Sequence, residues 1–343
     1  MSTGPDPTSQ SKTVNGQVET VIMVDGLEKH FSARGKVVNA VAGLSFSVNE
    51  GEIYGLLGPN GAGKTTTMRM LTTLLPIDAG QAIVAGVDVA ARPAEVRRHI
   101  GYVSQAGGAD SSATGRENLA LQGALYGMSR SELATRVPEV LELFDLGELA
   151  DRRVKTYSGG QRRRLDVSLG IVHSPKVLFL DEPSTGLDPQ NRANLWTHIR
   201  SLATAGTTVV LTTHYLEEAD SLCDRVVIVD HGRIVAKGTP AQLKAEVPGT
   251  TVTLQVVDPA RAAETLRHMS EIKDFVINEN DLRVHISGGT AVVPDLLRTL
   301  TTADISISSL SLTEPTLDDV FLAATGRSLR DTTAAESSGR IHR

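Results

Sequence analysis

The sequence is poor in the groups that would tie it to several large protein classes. Only one of its 343 residues is cysteine, Cys223. Neither an internal disulfide nor a thiolate metal cluster is therefore available, and Cys223 is expected as a packed small apolar residue in a helix. No apolar run approaches the roughly 18 residues that a membrane-spanning helix needs. Met1 to Gly16 is polar, contains Pro5 and Pro7 and has no hydrophobic centre. It reads as a flexible tail and not as a secretory leader, so the chain is expected in the cytosol. No block of lysine and arginine stands out, and the net charge is −6. That weakens a nucleic-acid partner, which would call for a basic face. Apolar residues make up 40% of the chain, enough for a packed core, and the length allows two domains at about 150 residues each.

The stretch that organises the rest is Gly58-Pro59-Asn60-Gly61-Ala62-Gly63-Lys64-Thr65-Thr66. It follows a short apolar run, Ile53 to Leu57, and precedes a helical start at Thr67. Strand, glycine-rich loop and helix is the context of a P-loop. The glycines let the backbone come close to a ligand, and the loop amides with the following helix N-terminus cradle phosphate oxygens. Lys64 places a charge on the outer phosphates, and the Thr65 hydroxyl can reach Mg²⁺.

Taken in order, Val21–Val24, Val37–Val41 and Leu44–Val48 are expected as strands of an antiparallel sheet ahead of this loop. Phe31 lies between them, either stacked on an adenine ring or partly buried as core. Ala82–Val84 and Val87 read as strands, and Arg97–Val103 runs from a helix end into another. Gln105 follows that strand's C-terminal end, where α/β proteins place ligand contacts. From about 106 to 175 the pattern is helical, with Leu119, Ala120, Leu121, Ala124 and Leu125 in one apolar set and Val137, Val140, Leu141 and Phe144 in another. Arg162-Arg163-Arg164 is either a solvated face or a binding site. Ser158 is a candidate N-cap, and Ser158-Gly159-Gly160-Gln161 at a helix start would make a second anion site. Val177–Leu180 is a buried strand ending in Asp181-Glu182, two carboxylates that need partners when buried. Asp181 suits Mg²⁺ or its water shell, and Glu182 would orient and polarise an attacking water. Asp188 follows in a loop, then a helix from Gln190 to Ala203. A third buried strand, Thr208–Thr213, ends at His214, whose place matches that of Gln105 and Asp181 and gives it a functional reading. A hairpin around His231-Gly232 closes the domain near Gly238-Thr239-Pro240.

The order Gly58–Thr66, Gln105, Ser158–Gln161, Leu180–Pro183, Leu187-Asp188 and His214 resembles the nucleotide-binding domain of ABC ATPases, over about Val24 to Leu243. The resemblance implies an α/β P-loop NTPase of ABC type, with a RecA-like parallel sheet core, an antiparallel β subdomain and a helical insertion. It implies ATP and Mg²⁺ as ligands. Phe31 would stack on adenine, Lys64 and the loop amides would hold phosphates, and Thr65, Gln105 and Asp181 would hold the metal. Glu182 would be general base or water-positioner, and His214 would bind the γ-phosphate. Ser158 and Gly160 would close over the ATP of a second copy while Asp188 aligns the halves, so a head-to-tail homodimer enclosing two ATP molecules follows. Tyr157 departs from the leucine that many relatives carry there. Thr212-Thr213-His214-Tyr215-Leu216-Glu217-Glu218-Ala219 and the late Leu317-Asp318-Asp319-Val320-Phe321-Leu322-Ala323-Ala324-Thr325-Gly326 look like the daunorubicin-resistance type of bacterial ABC-2 exporter ATPase. That type implies export of a drug, antibiotic or lipid through a separate integral-membrane permease, with this chain peripheral on the cytoplasmic face of the membrane. Two alternatives stand beside it. One is a soluble ABC ATPase acting on ribosomes or nucleic acid, which usually carries two nucleotide domains or a long coiled-coil insert. The other is the ATPase of an importer.

The expected domains are a disordered tail over 1–20, the ATP-binding domain over 21–245, an accessory or regulatory domain over 246–326 and a disordered tail over 327–343. The accessory domain alternates strand, helix, strand, strand, helix, strand, which fits a small ferredoxin-like α+β unit.

Overall fold

The computed structural model describes residues 19–33, 36–247, 250–278, 281–287 and 289–326. The tails expected over 1–20 and 327–343 therefore lie outside the described residues, apart from Glu19 and Thr20. The chain divides into two compact units between Thr239 and Pro240. This is earlier than the boundary expected at 245, because a short helix after Gly238 belongs with the second unit.

The first unit opens with β1 (Thr20–Ala33) and β2 (Lys36–Asn49), a long antiparallel pair. The two short strands expected over 37–48 are thus one strand, with register shifts where it bends. After β3 (Ile53–Leu57) and α1 (Lys64–Leu71) come β4 (Ala79–Val84) and β5 (Val87–Asp88), which join the first pair in the sheet order β2-β1-β4-β5. Next are α2 (Pro93–His99) and β6 (Ile100–Val103), and then the helical insertion with α3 (Gly115–Leu125), α4 (Arg130–Leu143) and α5 (Gly159–Ile171). The unit ends with β7 (Val177–Asp181), α6 (Pro189–Thr204), β8 (Thr208–Thr213), α7 (Leu216–Leu222), β9 (Arg225–Asp230) and β10 (Arg233–Gly238).

The second sheet runs β10-β9-β3-β8-β7-β6, parallel throughout except for the β9–β10 hairpin. Every residue of β3, β7 and β8 is buried, as expected of parallel strands covered on both faces. Ile22, Val24 and Leu44 from the antiparallel sheet pack with Tyr54, Phe179 and Val210 from the parallel one, and Phe46 stacks on Tyr54 with ring centroids 5.5 Å apart. This packing fixes the C-terminal ends of β3, β6, β7 and β8 side by side, the edge at which α/β sheets bind ligands. Cys223 caps α7 instead of lying inside it, packed against Gly55, and burial pushes its thiol up.

In the insertion, Thr114, Ser129 and Ser158 each start a helix with a reciprocal cap, paired with Glu117, Glu132 and Gln161. The apolar set expected on the first of these helices is only partly buried. Leu119 is enclosed, whereas Leu121 and Leu125 are 60% and 74% exposed.

The second unit begins with α8 (Pro240–Glu246), then β11 (Thr250–Val256), α9 (Pro259–Leu266), β12 (Ile272–Asn278), β13 (Asp281–Ile286), α10 (Val293–Thr302), β14 (Ile307–Thr313) and α11 (Leu317–Thr325). Its antiparallel sheet has the order β12-β13-β11-β14. Leu266, Leu296 and Leu300 cover one face of it against Val252, Leu254 and Val284. This is the ferredoxin-like βαββαβ arrangement, with α8 and α11 added side by side.

Candidate active site

The loop after β3 owes its shape to glycine. Gly63 has φ 105°, and a Cβ there would run into the Ala40 carbonyl oxygen. Gly63 also starts α1 without a side-chain cap. The first amides of α1 are therefore left to a ligand, and the positive helix end favours an anion. Lys64 is buried, and its Nζ donates to the carbonyls of Gly58 (2.7 Å) and Pro59 (2.9 Å).

Four strand ends bring their polar residues onto Glu182. Lys64 Nζ lies 3.9 Å from Glu182 Oε1, and His214 Nδ1 lies 3.2 Å from the same oxygen. At that separation His214 Nδ1 makes no aligned hydrogen bond. Gln105 Nε2 donates to Glu182 Oε2 at 2.9 Å, and Thr185 Oγ1 donates to that oxygen at 3.2 Å. Burial pushes the Glu182 carboxyl up. The close approach of His214, the charge of Lys64 and the Thr185 hydroxyl outweigh it and hold the group below the usual carboxylate range. A carboxylate held low is a weak proton acceptor, so the arrangement suits orienting and polarising a water. Glu182 also sits at φ 47°, in the left-handed region.

Beside it, Asp181 Oδ1 accepts from Thr65 Oγ1 (2.9 Å) and from Thr212 Oγ1 (2.7 Å). Thr212 Oγ1 in turn accepts from the Glu182 amide at 3.0 Å. Thr65 and Asp181 are thus already side by side, and the Gln105 amide oxygen is the end not spent on Glu182. These hard oxygen donors suit Mg²⁺, which takes one or two carboxylates plus phosphate and water oxygens. Among the described residues no group of three or more His, Cys, Asp or Glu forms a cage that would hold a metal without substrate.

The other expected residues do not join this cluster through any contact among the described residues. Phe31 is 40% exposed on β1, with Lys29 Nζ 5.8 Å from its ring centroid. Ser158 Oγ accepts from the Gln161 amide at 3.2 Å, which leaves its proton for an anion. Asp188 caps α6 by accepting from the Asn191 amide and side chain, and Asn191 in turn lies against Gly160. Tyr157 ties its hydroxyl to the Leu149 carbonyl at 2.6 Å, packing beneath the serine loop. Thr212 was not singled out in the sequence, and the arginine run splits there into different environments. Arg163 is buried while Arg162 is exposed. The only hint of Thr212 was its place opposite Asp181 in a parallel ladder.

A P-loop joined to paired carboxylates, glutamine and histidine at the ends of parallel strands defines a nucleoside triphosphatase. The sequence model for the ABC transporter family matches residues 41–185, and that for the C-terminal domain of DrrA1-3-like ATP-binding proteins matches residues 238–325. The daunorubicin/doxorubicin resistance ATP-binding protein DrrA of Streptomyces peucetius is 42% identical over 332 residues, covering 95% of this chain and 98% of that one. Daunorubicin resistance ATP-binding protein DrrA2 of Streptomyces coeruleorubidus is 41% identical, covering 92% and 98%. A solved ATP-binding subunit of an ABC transporter superposes with a TM-score of 0.58 at 29% identity, over 66% of this chain and 92% of its own. The chain belongs to the ATP-binding proteins of ABC transporters, in their daunorubicin-resistance type, and it is an ATPase.

Proposed function

We propose that the chain is the energy-coupling subunit of an exporter for a drug, antibiotic or lipid, working as a head-to-tail homodimer beneath a separate ABC-2 type permease at the cytoplasmic face of the membrane. The observation that carries the catalytic half is the convergence of Lys64, Gln105 and His214 on Glu182. The names of the relatives, which are resistance proteins toward daunorubicin and doxorubicin, support the direction of transport and the class of cargo.

In this reading ATP enters the loop over Gly58, Pro59, Asn60, Gly61, Ala62, Gly63, Lys64, Thr65 and Thr66, and Phe31 stacks on its base. Lys64 exchanges the Gly58 and Pro59 carbonyls for phosphate oxygens. Thr65, Gln105 and Asp181 are the residues that would hold Mg²⁺, which neutralises phosphate charge when bound. His214 leaves Glu182 for the terminal phosphate, and the released carboxylate orients the attacking water. The Ser158-Gly159-Gly160-Gln161 loop of the second copy closes the site, and Asp188 lies at the seam.

The test is Glu182→Gln in the full chain with its membrane partner. The variant is expected to bind ATP normally and to hydrolyse it at least about a hundredfold more slowly. It should also accumulate as a nucleotide-loaded dimer in gel filtration. Turnover within about threefold of wild type would remove Glu182 from the role.

A further inference from the structure

Arg163 is the member of the arginine run that turns inward, and it is 7% exposed. Its guanidinium is spent on backbone carbonyls. Nε donates to Pro183 at 2.6 Å, Nη1 to Ser104 at 2.9 Å, and Nη2 to Asp181 and Glu182 at 3.2 and 3.3 Å. Three of these carbonyls are consecutive, so the peptide planes on both sides of Glu182 are pinned. The fourth belongs to the residue before Gln105. One planar fork therefore grips the main chain at both ends of the Gln105–Glu182 hydrogen bond.

Glu182 needs such a grip. A non-glycine residue at φ 47° is strained and persists only where its surroundings over-determine it. Arg163 lies just over one turn past Ser158 on α5, whose N-terminus carries the serine–glycine loop. The grip on Glu182 is thus mounted on the element that, in the proposed function, meets the ATP of the second copy.

We propose that Arg163 is a positioning residue that holds Glu182 and Gln105 in hydrolytic geometry and makes that geometry depend on the placement of α5. The inference rests on the proposed function, because it gives each chain a path from its own serine–glycine loop to its own Glu182. Closure over one ATP then sets the water-orienting carboxylate of the other site.

The experiment uses the full chain and compares Arg163→Gln, Arg163→Lys and the exposed neighbour Arg162→Gln, each alone and combined with Glu182→Gln. Steady-state kcat and KM for ATP, equilibrium binding of a fluorescent ATP analogue and single-turnover rates are measured. Arg163→Gln is expected to lower kcat by about tenfold to a hundredfold, the scale of a small misplacement in a reacting site. Its KM and binding stoichiometry should stay within about twofold of wild type. Arg163→Lys should fall between, since an ammonium keeps donors but loses the fork, and Arg162→Gln should match wild type. In the Glu182→Gln background Arg163→Gln should add no further loss, because the group it positions is already gone.

A near-normal kcat for Arg163→Gln overturns the inference, as does an equal fractional loss in both backgrounds. If Arg163→Gln does not fold, Arg163→Lys carries the same comparison, and a lysine variant as slow in the second background as in the first overturns it equally. Fast hydrolysis by Glu182→Gln alone would remove the proposed function and this inference together. A normal Arg163→Gln beside an inactive Glu182→Gln removes only the inference.

Discussion

At the scale of single residues, one hydroxyl joins the Asp181 carboxylate to the backbone amide of Glu182. Thr212 Oγ1 gives its proton to Asp181 and takes the Glu182 amide proton. Replacing it by valine keeps the shape but leaves the buried Glu182 N–H without its acceptor and Asp181 Oδ1 with Thr65 alone. The unpartnered N–H costs about 1–3 kcal/mol. Thr212→Val is therefore expected to lower the thermal midpoint by several degrees and to reduce kcat, with fluorescent ATP binding retained. A variant with wild-type melting and turnover would show that Thr65 alone suffices to orient Asp181. The residues that make up the cluster itself, Lys64, Gln105, Asp181, Glu182 and His214, were legible in the sequence. Each is a chemically distinctive group placed just past a buried apolar run. Thr212 was not, because a threonine inside a β-branched strand looks like any other strand residue until the ladder sets it opposite Asp181.

At the scale of elements, α6 and α7 are joined by a buried carboxyl. Glu218 on α7 is fully buried and accepts from Trp196 Nε1 on α6 at 3.0 Å. Burial pushes its carboxyl up, opposed by the neighbouring Thr213 and Ser184 hydroxyls, the Trp196 N–H and the charge of Arg192. An acid raised on folding stabilises the native state fully below its unfolded value, near 4.3. That contribution is lost as pH rises from there through the folded value. Glu218→Gln keeps an acceptor for Trp196 and removes the titration. The variant's melting point relative to wild type is therefore expected to rise as the pH is raised from about 4. A difference that stays flat or falls over that range would show that Glu218 is ionised and paired in the native state. The single tryptophan also makes its fluorescence a direct report on this joint.

Elements were less legible than residues for a related reason. Period alone cannot say how much of an apolar face is covered, and of the set read together as helical, Leu119 is buried while Leu121 and Leu125 lie exposed. Successive helical residues point about 100° apart. Arg162, Arg163 and Arg164 therefore meet solvent, backbone carbonyls and the Phe144 carbonyl respectively, although they read as one run of charge. The helices α8 and α11 were not anticipated as elements, since both are short and have too few turns to show a period.

At the scale of the whole molecule, the groups expected around one nucleotide fall into two sets within a chain. Lys64, Thr65, Gln105, Asp181, Glu182 and His214 are joined by direct contacts, whereas Ser158, Gly159 and Asp188 are exposed and join none of them among the described residues. A half-site of each kind on every chain is what a symmetric pair needs, because a two-fold axis supplies each site with one set from either copy. The arrangement can be tested by mixing two inactive proteins. Lys64→Ala removes the P-loop lysine from both sites of its homodimer, and Ser158→Arg places a bulky cation on the serine–glycine loop of both sites of its own. In a mixed dimer one site receives both lesions and the other receives neither. Random assortment at equal concentrations makes about half of the dimers mixed, each with one intact site of two. ATPase activity should therefore recover to about a quarter of wild type where the sites turn over independently, and to a measurable but smaller fraction where closure of one site sets the carboxylate of the other. Recovery should vanish when Glu182→Gln is added to the Ser158→Arg chain, because that chain supplies the intact site's carboxylate. It should survive when Glu182→Gln is added to the Lys64→Ala chain. A mixture no more active than its components would remove the head-to-tail pairing with independent sites. Recovery regardless of which chain carries Glu182→Gln would show that the two sets of residues do not meet across the pair.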